Sequence, residues 1–96
     1  MSGEVLRRTV TIANPQGFHL RPQQAFVALA RKFASTITVC RDDLRVDGKS
    51  PFELMLVSST PVGGQLVIEA RGADAAAALD ALAPVVESPT GPDEEE

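Results

Sequence analysis

The residues best suited to chemistry stand in one short run, Gly17-Phe18-His19-Leu20-Arg21-Pro22. His19 is the only histidine in the 96-residue chain. A neutral imidazole nitrogen is a competent nucleophile near pH 7, because its ordinary pKa leaves it largely unprotonated there. The residues from Leu20 onward read as helix, so His19 falls at a helix N-terminus, where outward-pointing amides and the dipole favour an anion. Arg21, two residues on, could add a guanidinium fork to the same anion. Gly17 permits a close backbone approach, or a φ that other residues avoid. Together these features describe a histidine able to accept a phosphate and hold it without making it permanent. The competing reading is a capping or surface histidine with no chemistry at all. With no second His or Cys at ligand spacing, a metal site is not expected.

The elements that must position this run are legible from periodicity. Leu6, Val10 and Ile12 alternate with Arg7, Thr9 and Thr11, which predicts a half-buried strand that Asn14-Pro15-Gln16-Gly17 breaks. From about Leu20 to Phe33 the period becomes helical, with Phe26, Leu29, Ala30 and Phe33 on one stripe, Pro22 in the first turn and Arg31 and Lys32 closing the last. Thr36 to Cys40 alternates again, with Ile37 and Val39 inward and Cys40 on the threonine face. A turn at Asp42-Asp43 leads to a short return strand, Leu44-Arg45-Val46, and Asp47-Gly48 turns once more. Ser50-Pro51-Phe52-Glu53 reads as a capping box with proline at the first helical position, in which Glu53 reaches back to Ser50. The short helix it starts runs to Ser58 or Ser59 and is ended by Thr60-Pro61-Val62-Gly63-Gly64. Gln65 to Ala70 is a strand with Leu66, Ile68 and Ala70 on one face. Asp74 caps a last helix that buries Ala75, Ala78, Leu79, Leu82 and Val86. The order β-α-β-β-α-β-α implies an α+β fold, a four-stranded, mostly antiparallel sheet with three helices on one face.

Charge and composition exclude other classes. The formal net charge is −4, but four of the 13 acids are the last four residues, which leaves the body with 9 basic and 9 acidic side chains, among which Arg21 and Lys49 are expected close to the histidine as a local positive edge. A neutral body lacking Tyr and Trp argues against a nucleic-acid binder, which needs a clustered basic excess or stacking aromatics. No apolar run is long enough to span a membrane. The single Cys40 fits a reducing compartment, and cytoplasm is the expected location. Hydrophobic residues make up 44%, sufficient for one small core, and 13 of them are alanines. One domain, residues 1–88, is expected, followed by an acidic tail, 89–96, read as disordered. That tail, Cys40 and Asp42-Asp43 read as solubilising, incidental and turn-forming respectively.

The Gly17 to Pro22 run resembles the phosphohistidine signature of the HPr family, the phosphocarriers of the bacterial sugar phosphotransferase system. The resemblance extends through Lys49-Ser50, Gly64 and Gly72-Ala73-Asp74, matches the family spacing from His19 to Ser50, and covers roughly residues 4 to 87. It implies an open-faced β-sandwich and a carrier without turnover of its own. His19 would accept a phosphoryl group on Nδ1 from phosphorylated enzyme I, Arg21 would stabilise it, and IIA components would receive it. It further implies that Leu20, Gln24, Phe52 and Met55 form a partner-binding surface, with ordinary core packing the competing reading for Phe52 and Met55. Ser50 would be a regulatory site for an HPr serine kinase, although as a helix cap it needs no such role. The chain departs from the pattern at Leu20 and Gln23, where small residues are usual and which both lie near the expected docking surface, and at Phe18. An alternative of another class is an HPr-like regulatory module that acts by docking on kinases, regulators or a non-sugar branch. No cofactor, metal, nucleic acid or membrane is implied, and a monomer is expected.

Overall fold

Four strands form one sheet in the order β1-β4-β2-β3, with every neighbouring pair antiparallel. The computed structural model describes residues 4–89. Its elements are β1 (Val5–Thr11), α1 (Leu20–Ala30), β2 (Thr36–Arg41), β3 (Leu44–Asp47), α2 (Pro51–Leu54), β4 (Gln65–Arg71) and α3 (Ala75–Glu87). A single 3₁₀ turn, Met55–Val57, extends α2. The expected order and open-faced architecture are therefore present. The acidic run at the C-terminus lies outside the described residues.

Register explains the core. Val10 faces Leu66 across the β1–β4 pair, and Val39 faces both Ile68 on β4 and Val46 on β3. This aligns the inward rows of all four strands under the helices. Phe26 and Ala30 from α1, and Ala78, Leu82 and Val86 from α3, close over them, each almost fully buried. Removing a side chain such as Phe26 or Leu82 from water contributes roughly 1.5–3 kcal/mol. The β2–β3 hairpin needs only Asp42-Asp43 as its loop, and Asp42 takes φ 55°, a conformation a short polar side chain tolerates.

Several local expectations are redirected by tertiary contacts. α1 ends at Ala30 rather than near Phe33, with Lys32 and Phe33 in the following turn. Arg8 shares the phase of Leu6 and Val10, yet it remains exposed and crosses to α3, bonding Asp80 Oδ1 (2.6 Å) and the Leu79 carbonyl (3.3 Å). Asp74 stands at the N-cap of α3 without capping it. Its carboxylate instead accepts the amides of Ala34 and Ser35 (both 2.9 Å) and the Ser35 hydroxyl, which ties the α1–β2 connection to the start of α3. The Ser50 cap forms, its Oγ accepting from the Glu53 amide at 3.2 Å. The reciprocal half of the box does not. Glu53 Oε1 accepts from the Asp47 amide (2.8 Å), because the Ser50 amide already donates to the Asp47 carbonyl.

Candidate functional site

The approach to His19 is held on both sides. Asn14 builds the turn after β1, its side chain accepting the Gln16 amide and its carbonyl the Gly17 amide, each at 2.8 Å. Gly17 then adopts φ +76°, and a Cβ there would lie 2.7 Å from the Thr60 carbonyl oxygen. That oxygen receives the Phe18 amide at 3.1 Å, which explains the close approach. The Phe18 ring is buried edge-to-face against Phe26, with centroids 6.4 Å apart and planes at 89°. The residue before the histidine is thus locked into the core.

His19 itself is the N-cap residue of α1, with φ −81° and ψ −173°. Its carbonyl accepts the Gln23 amide (3.2 Å), but its imidazole makes no capping bond. The side chain that would ordinarily satisfy the first-turn amides therefore does not do so, and the half-buried ring stands beside a helix N-terminus with its positive dipole end. Arg21 is exposed in the same turn, and Pro22 is buried at the third helical position. This arrangement can offer a nucleophilic ring nitrogen and an electropositive surface to one phosphoryl group.

An apolar surface adjoins it. Leu20 is 60% exposed, Phe52 83%, Met55 56% and Leu56 60%. Those values contradict core packing for Phe52 and Met55. A groove of about 90 Å³ between α1 and α2 is lined by Leu20, Gln23, Gln24, Pro51 and Met55. The fold thus brings Leu20, Gln24 and Met55 together on one groove, while Phe52 stands outside its lining. Leu56 was not singled out from the sequence, though its spacing of four from Phe52 was a usable signal.

One expectation about neighbours is corrected. Lys49, placed near the histidine on charge grounds, sends its Nζ to the Phe33 carbonyl (2.7 Å), and its own carbonyl accepts Arg31 Nε (3.1 Å). It sits past the C-terminal end of the 11-residue α1, a helix about 16 Å long, at the far end from His19. A cation satisfies terminal carbonyls there. Gln23, expected near the docking surface, does line the groove, yet it is largely buried and donates Nε2 to the Phe18 carbonyl at 2.7 Å. No periodicity or motif announces that bond.

The larger depression, about 250 Å³, lies on the open face of the sheet, with Thr36, Thr38, Arg45, Glu69 and Arg71 in its lining. Cys40 is half-buried on that face, and burial, with Glu69 nearby, pushes its thiol up, so the reactive thiolate is disfavoured.

Comparison with known proteins agrees with this geometry. A family model described as "PTS HPr component phosphorylation site" matches residues 6–88. The phosphocarrier protein HPr of Neisseria meningitidis is 34% identical over 82 residues, covering 85% of this chain and 91% of its own. The phosphocarrier protein NPr of Shewanella violacea is 32% identical over 83 residues, covering 86% and 90%. The crystal structure of HPr from Bacillus anthracis superposes with a TM-score of 0.80 at 30% identity, covering 86% of this chain and 98% of that one. With a family model matching residues 6–88, a shared fold and 34% identity over 82 residues, the chain belongs to the HPr family of phosphocarrier proteins.

Proposed function

We propose that His19 is the phosphoryl acceptor of a carrier that takes its group from phosphorylated enzyme I and delivers it to IIA components of sugar transport. The observation that carries this reading is the imidazole at the α1 N-terminus, which makes no capping bond and has Arg21 in the same turn. In the transfer, the Nδ1 lone pair attacks phosphorus as the bond to the donor breaks. The helix dipole and the Arg21 guanidinium hold the added negative charge. Handing the group on reverses these steps, so the protein is a carrier with no turnover of its own. The exposed Leu20, Phe52 and Met55, with Gln24 beside them, supply the docking surface.

Incubation with phosphoenolpyruvate and enzyme I tests the reading. An acid-labile, base-stable phosphate is expected, and His19→Ala abolishes it. Absence of label on the unaltered protein overturns the proposal. Phe52→Ala and Met55→Ala should raise KM for enzyme I while leaving the melting temperature unchanged, as removal of an exposed docking contact requires.

Ser50 enters as the site of an HPr serine kinase. A phosphate there would still suit the N-terminus of α2, but would put negative charge beside Pro51 and Met55 and oppose docking of acidic partners. Mass spectrometry of protein from its native cell, seeking an acid-stable phosphate on Ser50, checks this.

A further inference from the structure

We infer that Gln23 is a positioning residue for His19, acting through the peptide bond that enters it; the inference rests on His19 being the phosphoryl acceptor. Gln23 is buried in the second turn of α1, and its Nε2 donates to the Phe18 carbonyl at 2.7 Å. Its own amide donates to the His19 carbonyl at 3.2 Å. One residue therefore grips the peptide groups on both sides of the His19 Cα.

The consequence follows from peptide geometry. The Phe18–His19 peptide is planar and trans, so fixing its carbonyl fixes the direction of the His19 amide and restricts φ of His19. With φ and ψ both restrained, the Cα–Cβ bond that carries the imidazole has one orientation relative to the first-turn amides. Without Gln23 the Phe18 carbonyl would be left as a buried acceptor with no donor, a costly state that the peptide would relieve by rotating toward water. Such a rotation swings the ring. The Phe18 side chain cannot follow, because it is anchored against Phe26 and its amide is bound to Thr60.

The test avoids partner docking, since Gln23 also lines the apolar groove. Phosphoramidate, a small phosphoryl donor, transfers its group to the imidazole as its own P–N bond breaks and ammonia leaves. Gln23→Met keeps the length and packing of the side chain but removes the donor. The expected result is a phosphorylation rate lowered roughly 3- to 10-fold, the size of one neutral hydrogen bond. Gln23→Glu supplies a readout that a purely structural role would not move. An ionised carboxylate cannot donate to the carbonyl, whereas a protonated one can, so its rate relative to the unaltered protein should recover as pH falls through the carboxyl's titration. Should Gln23→Met fail to fold, this pH profile decides alone. Unchanged rates in a folded Gln23→Met, or a rate ratio for Gln23→Glu that is flat in pH, overturn the inference. If phosphoramidate labels no histidine even in the unaltered protein, the acceptor reading fails instead. Gln23 is then judged by NMR of the His19 ring, whose side-chain couplings should average in Gln23→Met and stay fixed in the unaltered protein. Identical couplings overturn the positioning role.

Discussion

On the open face of the sheet, Glu69 of β4 lies between Arg7 of β1 and Arg45 of β3, residues 62 and 24 positions away in sequence. The contacts are short, 2.8 Å from Arg7 Nε and 2.7 Å from Arg45 Nη2. At the other pole, the candidate site is assembled from consecutive residues, 17 to 22, and its imidazole makes no capping bond. The hydrogen bonds from Arg45, then from Arg7, hold the Glu69 carboxyl at about 2, far below its ordinary 4.5, although burial opposes this. The strongest electrostatic perturbation in the described molecule thus marks a saturated structural cluster, not the candidate site. A displaced pKa signals a site only where the group retains capacity for a ligand. Glu69 has little, being nearly buried with both oxygens engaged.

If the two regions divide labour this way, variants should separate phosphoryl acceptance from stability. The largest separation is expected at His19. His19→Ala should lose all phosphate incorporation while its unfolding free energy stays within about 0.5 kcal/mol, as for a surface position away from structural features. A large loss of stability would show that the imidazole also holds the fold. Gly17→Val attacks the support behind the site, at a positive φ and against the Thr60 carbonyl. It should cost about 1–3 kcal/mol and lower the melting temperature by several degrees, measured by thermal unfolding.

Glu69→Gln addresses the opposite pole. Because the Arg7 and Arg45 side chains are each 61% exposed and therefore screened, a loss of about 1–2 kcal/mol is expected rather than the full value of the shift. The folded carboxyl titrates below the unfolded one, so its contribution is present above about pH 4.5 and disappears as pH falls toward about 2. Denaturant unfolding of both proteins from pH 7 down to pH 3 should show their difference shrinking, and raised salt should shrink it at neutral pH. His19 phosphorylation by phosphoramidate should be unaffected. The smallest effect belongs to Ser50→Ala, which removes the α2 cap and should cost about 1 kcal/mol in thermal unfolding, leaving that phosphorylation rate unchanged.

The His19 pole was the more legible in sequence because its logic is local. The helical period from Leu20, the proline in the first turn and the Gly-x-His-x-Arg-Pro spacing all act within one or two turns of chain. The same holds for the Ser50 cap and the inward rows of each strand. Less was legible wherever a side chain chose among backbones brought together by folding. Asp74 had the type and place of a helix cap, but the Ala34 and Ser35 amides, about forty residues away, captured its carboxylate. Lys49 looked like part of the anion-binding edge until the end of α1 offered it the Phe33 carbonyl.

The sequence by itself determined the element order, the facing rows of the sheet and the placement of a lone histidine at a helix start. Backbone propensity, side-chain period and capping are properties of neighbours along the chain, so they need no fold to be read. Only the tertiary structure decided that Phe52 and Met55 face solvent and that Gln23 grips the peptide before His19. It alone clasped Glu69 between two arginines from different strands. A hydrogen bond needs a narrow range of distance and angle, so which distant carbonyl or guanidinium reaches bonding geometry is settled only when the strands and helices have packed.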